Sequence, residues 1–301
     1  MGIAHYIKEI GRGKDGARSL TREQAADLFG QALDGSITDL EMGAFCLAMR
    51  VKGESAAEMA GFLDATHQRI AMVPALDKPL IIIPSYNGAR KLPGLTPLLA
   101  LLLAREGLPV LVHGTPTESK RVYTSEVLLA LGIPAQAAIK TIANGNVAFI
   151  PTAVLLPGLE RMLAVRRTIG VRNSAHSLVK LMTPCAGKCL LVTSYTHPEY
   201  AISMTETLHM MGSNALLLRG TEGEAVADPR RMPVMHGFVG GQAIDLHTHQ
   251  AGPLASLPDL PTTTDAASTA DYIRRVLSGA QAVPAPIALQ VAHILRMVSL
   301  L

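Results

Sequence analysis

The chain has 301 residues, 49% hydrophobic and 17% charged, with no Trp, five Phe, six Tyr and a net charge of +3. Such totals exclude a disordered chain and call for an aliphatic core, and three cysteines in this length exclude a disulfide framework, which fits a reducing compartment. The opening MGIAHYIKEIGRGK has charges where a signal peptide needs an apolar run, and the most apolar stretch, Leu95 to Ala104, is too short to cross a bilayer. A cytoplasmic protein with no membrane attachment is expected.

The first 70 residues read as helices. Thr21 with Gln24, Thr38 with Glu41 and Ser55 with Glu58 are three capping boxes, each able to satisfy two orphan amide donors at a helix start. Behind the second, Leu40, Ala44, Leu47, Ala48 and Val51 recur at helical spacing up to Gly53; behind the third, Met59, Phe62, Leu63 and Thr66 do the same. Past Pro74 the pattern changes. Leu80–Ile83 reads as a buried strand ending at Pro84, followed by a helix from about Thr96 to Glu106. A strand over Pro109–Val112 then ends at His113-Gly114, and a helix over Thr124–Leu131 is closed by Gly132. Further strands are expected at Phe149–Ile150, Leu190–Thr193 and Ala215–Leu218, with helices over Pro198–Met211 and Ala266–Ser278. Strands alternating with helices predict an α/β fold, its sheet largely parallel and flanked by helices, beside a small helical unit. Ligands of such sheets sit at the carboxyl ends of the strands, where the loops 84–91, 113–121 and 219–224 should converge. No internal repeat is visible. The apolar end, Ala292 to Leu301, has no stop signal and is either a natural end or a cut helix.

Charge is unevenly spread. Residues 1–70 carry eight Lys/Arg against ten Asp/Glu, whereas residues 85–180 carry eleven against four, a net of +7. Those cations are either solvated helix faces or a surface that meets polyanions.

The loops carry a specific resemblance. A helical N-terminal unit, a glycine-containing loop after the first strand, a second loop with His113-Gly114, and the segment VRRTIGVRNSAHSLVKLMTP (Val165 to Pro184) together resemble the anthranilate phosphoribosyltransferase family, glycosyltransferase family 3. KEIGRGK, IPSYNGARK, GVRNSAH, HPEY and GTEGE, in that order, look like signatures of its YbiB-like branch. The resemblance implies a nucleoside phosphorylase/phosphoribosyltransferase-type fold. It divides the chain into a helical dimerisation domain over residues 1–72, joined by about 165–184, and a large α/β domain over 73–301.

The resemblance also marks losses. Active members cradle a pyrophosphate on a GTGGDG loop, whose glycines let backbone N–H groups approach closely. The matching stretch here is Ser85-Tyr86-Asn87-Gly88-Ala89-Arg90, and Tyr86 is expected to fill space that phosphate needs. In the second loop, Val112 and Thr115 replace a phosphate-binding lysine and an asparagine, leaving His113 and Gly114. The magnesium-holding Asp-Glu pair has only Glu222 and Glu224 as neighbours, at altered spacing. Arg172 matches the arginine that holds the aromatic acid, and is either an anion contact or an interdomain ion pair. Ordinary phosphoribosyl transfer is therefore not expected. The remnant pocket comprises Ser85, Tyr86, Asn87, Gly88, His113, Gly114, Arg172, Glu222 and Glu224, with no catalytic residue, metal or cofactor assigned.

What remains is basic. Arg90, Lys91, Lys120, Arg121, Arg166, Arg167, Arg172 and Lys180 suit a phosphodiester backbone, and Tyr86 and Tyr123 could stack on bases or be packed loop residues. By resemblance to the YbiB-like branch, the expected function is sequence-nonspecific binding of single- or double-stranded nucleic acid by a homodimer paired through its N-terminal helices. The alternative is a glycosyl or phosphoribosyl transferase, or a phosphorylase, with an altered substrate, using magnesium. Other signals are set aside. Cys185 and Cys189 lack a second pair for zinc, His247, His249 and Asp245 make an unpersuasive ligand set, and Tyr6 stands where myristoylation favours a hydroxyl. Met42, Met49 and Met59 read as core or interface.

Overall fold

The structure is a computed structural model and describes residues 2–13, 15–74, 76–246 and 255–301; His247 and His249 lie outside them. Four helices come first: α1 (Ala4–Ile10), α2 (Arg22–Asp34), α3 (Asp39–Lys52) and α4 (Ala56–His67). All three expected capping boxes form, with both reciprocal hydrogen bonds at α2, α3 and α4. Phe29, Phe45 and Phe62 meet at the centre of this unit, with Phe29 stacked on Phe62 at 4.6 Å and Phe45 edge-on to both.

The periodic stripe of α3 faces outward, however. Its buried residues are Phe45, Cys46 and Met49, whereas Leu40, Leu47 and Val51 are 83%, 54% and 66% exposed. Periodicity finds a helix but cannot say which of two apolar faces has a partner inside the same chain.

The rest follows in the order β1 (Leu80–Pro84), α5 (Thr96–Arg105), β2 (Val110–Gly114), α6 (Thr124–Ala130), β3 (Val147–Pro151), α7 (Thr152–Leu155), α8 (Pro157–Ile169), α9 (Ala175–Leu178), β4 (Cys189–Tyr195), α10 (Pro198–Met210), β5 (Ala215–Arg219), β6 (Met235–Val239), β7 (Gln242–Ile244), α11 (Ala266–Leu277) and α12 (Ala285–Val298). The sheet order is β3-β2-β1-β4-β5-β6-β7, parallel through β5 and antiparallel at β6 and β7. β1, β2 and the interior of β4 are buried on both faces, which is why they read as unbroken apolar runs. The closing antiparallel pair escapes sequence reading because both strands are short, partly exposed and interrupted by glycine or polar residues.

Two apolar cores result. One joins the helical unit to one sheet face; the other packs α5, α11 and α12 on the opposite face. The segment through α8 and α9 returns to the helical unit: Arg161 donates to the Leu33 carbonyl at 2.9 Å, and the Thr183 N–H donates to His67 Nε2 at 3.2 Å.

Gly61 marks the tightest helical contact. A Cβ there would fall well inside van der Waals contact of the Arg22 carbonyl, and 2.9 Å from Ala25 Cβ. Gly61→Ala gains about 1 kcal/mol of helix propensity but must separate α2 from α4, an overpacking cost of roughly 1–3 kcal/mol. We expect a net loss of stability, read as a lowered urea midpoint at unchanged m.

Candidate functional site

The carboxyl ends of β1, β2 and β5 bring together three loops: Ser85–Lys91, Thr115–Tyr123 and Gly220–Glu224. The first and third are fastened by carboxylates. Buried Glu224 accepts from the Asn87 N–H (2.7 Å) and Gly88 N–H (2.9 Å) through one oxygen, and from Thr96 Oγ1 (3.3 Å) and the Ser85 hydroxyl through the other. Glu222 accepts from the Arg90 N–H (2.6 Å) and Lys91 N–H (3.0 Å). Gly223 between them has φ +88° and lies so close to Asn87 that a Cβ would overlap its amide, so only glycine fits. The amides of the loop that matches the phosphate cradle thus already serve internal carboxylates.

The same contacts decide the metal question. With their oxygens turned to N–H donors of the β1 loop, Glu222 and Glu224 do not form an open oxygen set of the kind magnesium requires, and no cluster of three His, Cys, Asp or Glu suited to a metal occurs among the described residues. The residues present do not fit the ion.

Tyr86 is turned into the interior. Its ring is buried, with its hydroxyl 2.8 Å from both His113 Nδ1 and Thr152 Oγ1. Tyr123 is buried too; its hydroxyl accepts from the N–H groups of Thr117 (2.9 Å) and Glu118 (2.7 Å) and donates to the Glu118 carbonyl. Neither can stack on a base. An apolar aromatic body with a polar tip was drawn inward, where loop amides and hydroxyls could satisfy the tip. Gly114 is required by packing, since a Cβ there would collide with the Ser85 carbonyl.

The basic residues fall into three groups. Arg121 (3.2 Å), Arg166 (2.9 Å) and Arg172 (3.4 Å) all converge on Glu118. Burial opposes the charge on Glu118, but the hydrogen bonds from Arg166 and Arg121 prevail and hold its carboxyl down at about 2. Arg90, Lys91, Lys120 and Arg167 are exposed. The first three stand close together because Ala89 and Val122 pair as a short antiparallel bridge between their loops. Lys180 instead turns inward, donating to the Gly223 carbonyl at 2.9 Å; burial lowers its pKa to about 8 despite the opposing charge of Glu224.

Lys180 and Arg172 line a cavity of about 360 Å³ between the helical unit and the β4–α10 corner, together with Arg50, His176, Ser194 and Tyr200. His176 was not singled out by sequence. Burial, then Arg172 and Arg166, depress its pKa to about 4, and its Nε2 has no hydrogen-bond partner among the described residues. The Glu118 hub was equally invisible, because two of its three partners lie 48 and 54 residues away. Cys185 and Cys189 remain free thiols.

Residues 4–69 match the family described as "Glycosyl transferase family, helical bundle domain". The chain is 42% identical to the uncharacterized protein YbiB of Escherichia coli K12 over 97% of its own length and 93% of the relative's. It is 28% identical to the anthranilate phosphoribosyltransferase of Persephonella marina over 73% of its length and 66% of the relative's. Among solved structures it is similar to the anthranilate phosphoribosyltransferase of Thermus thermophilus, with TM-score 0.71 at 24% identity over 95% of this chain and 85% of that one. It is also similar to the Saccharomyces cerevisiae enzyme in complex with PRPP and Mg, with TM-score 0.65 at 14% identity over 99% and 87%. These likenesses confirm the expected fold.

Buried imidazoles make the site sensitive to acid. His113, fully buried, is depressed by desolvation to about 3, and His176 to about 4. Both fall below the unfolded value near 6.5. The stability they support is therefore whole above that value and declines as pH falls from about 6.5 towards 4, where the unfolded chain binds protons that the folded one refuses. Imidazole ¹⁵N spectra should show both rings neutral at pH 5.5; protonation of either between pH 6 and 7 would contradict this burial.

Proposed function

The chain belongs to the anthranilate phosphoribosyltransferase-like glycosyltransferase family, in its YbiB-like branch, and from that membership we propose that it is a cytoplasmic, homodimeric, sequence-tolerant nucleic-acid-binding protein with a closed phosphoribosyl-transfer site. The observation that carries this reading is the capture of the β1-loop amides by Glu222 and Glu224, beside a surface on which Arg90, Lys91 and Lys120 stay exposed. A small phosphorylated donor finds the Asn87 and Gly88 amides of its cradle held by buried Glu224, whereas a phosphodiester chain can bind along the exposed rim and its cations. Arg121, Arg166 and Arg172, gathered on one carboxylate, leave that cluster a net positive charge and hold the neighbouring loops in place.

The exposed stripe of Leu40, Leu47 and Val51 supports pairing of two copies through α3. Charges avoid this face, and a second copy would cover it and align two basic surfaces. Leu47→Glu should convert the dimer to a monomer in sedimentation equilibrium while leaving helical circular dichroism unchanged.

Fluorescence anisotropy of labelled single-stranded DNA at several salt concentrations tests the binding. We expect binding indifferent to sequence, with a log–log salt slope near about −0.7 per neutralised phosphate. Lys91→Glu with Lys120→Glu should weaken it at least about tenfold and flatten the slope by roughly one to two. Unchanged binding would move the surface elsewhere.

The interdomain cavity favours a second reading, a transferase or phosphorylase with an altered substrate held by Arg172, His176 and Lys180. Saturable heat on titration with magnesium and phosphoribosyl pyrophosphate would support it, and silence would retire that donor.

A further inference from the structure

We propose that the successive N–H groups of Arg90 and Lys91 form a phosphodiester subsite, held in the free protein by the carboxylate of Glu222 as an internal stand-in that the nucleic-acid backbone displaces. The inference rests on the nucleic-acid reading above. Glu222 and Glu224 look alike in sequence but are held differently. Glu224 is buried under four donors, whereas Glu222 is half-buried at the rim and, among the described residues, accepts hydrogen bonds from two backbone amides alone.

The geometry at Glu222 is that of an anion site. Two consecutive N–H groups point at the two oxygens of one group: Arg90 N to Oε2 at 2.6 Å, and Lys91 N to Oε1 at 3.0 Å and Oε2 at 3.2 Å. Consecutive backbone amides of this kind make concavities that bind carboxylate and phosphate alike. A phosphodiester offers the same pair of oxygens and the same single charge, so the exchange replaces one acceptor by another without leaving an amide bare. The exposed side chains of Arg90 and Lys91, with Lys120 across the Ala89–Val122 bridge, would bring further cations to an incoming phosphate.

Two further features fit a displaceable group. Glu222 is the sole non-glycine residue with positive φ (+54°) among the described residues, an uncommon conformation for a long side chain. Arg230, paired with Asp228, lies close enough to feel the charge of Glu222 and offers the displaced carboxylate a neighbour.

The test separates reach from charge. Glu222→Asp keeps the charge but is one methylene too short to span both amides; Glu222→Asn removes both. Aspartate and asparagine tolerate left-handed backbone better than glutamate, and thermal melting checks that each variant folds. In anisotropy titrations of labelled oligothymidine at low salt, both variants should bind roughly fivefold more tightly than the unmodified protein. Tightening in the Asn variant alone would assign the effect to bulk charge and overturn the proposal, as would equal or weaker binding in both. Independently of any variant, the amide resonances of Arg90 and Lys91 should shift when unmodified protein is saturated with oligothymidine; unmoved resonances would overturn it. Absence of binding by all three proteins would instead sink the nucleic-acid reading beneath it.

Discussion

The buried carboxylate of Glu224 is the contact on which the site depends. An unpaired carboxylate in this position would be prohibitive, since burying a charge without partners costs far more than a fold can spare. It is tolerated because two backbone N–H groups and two hydroxyls converge on it, and hydrogen bonds to a charged group contribute about 1.5–3 kcal/mol each. In return, those donors are satisfied without water or ligand. One side chain therefore ties the β1 loop to the β5 loop and consumes the donors that a phosphate would use. The glycine that precedes it admits Asn87 to close approach, so fastening and closure are parts of one arrangement.

A second carboxylate organises the basic surface. Glu118, on the β2 loop, gathers arginines from its own loop, from the end of α8 and from the crossing segment. Like charges brought this near repel, and a shared acid relieves the repulsion while leaving net positive charge. The eleven cations of residues 85–180 are therefore not one population. Some hold loops in position, Lys180 faces an interior carbonyl, and Arg90, Lys91, Lys120 and Arg167 face solvent.

Much of the scaffold was legible. Capping boxes at Thr21, Thr38 and Ser55 located three helix starts to the residue because the reciprocal hydrogen bonds are local. The apolar runs at Leu80, Pro109 and Leu190 located parallel strands because such strands must be apolar on both faces. The site was legible in its membership but not in its roles. Ser85, Asn87, Gly88, Glu222 and Glu224 do converge, yet sequence placed the two acids only beside a lost metal pair and did not show that they accept from the loop amides. That role stayed hidden because a side chain's direction depends on what lies across from it.

The sequence by itself determined the family, the α/β plan and the loss of the phosphate-binding glycines, since these reside in local pattern and in residue types at matched positions. Only the tertiary structure decided which acid meets which amide, which arginines share Glu118, which face of α3 is left bare, and that His176 and Lys180 line a cavity. The reason is physical. Each of those outcomes is a contact between residues far apart in the chain, and its energy is set by burial and partner geometry that exist only once the chain has folded.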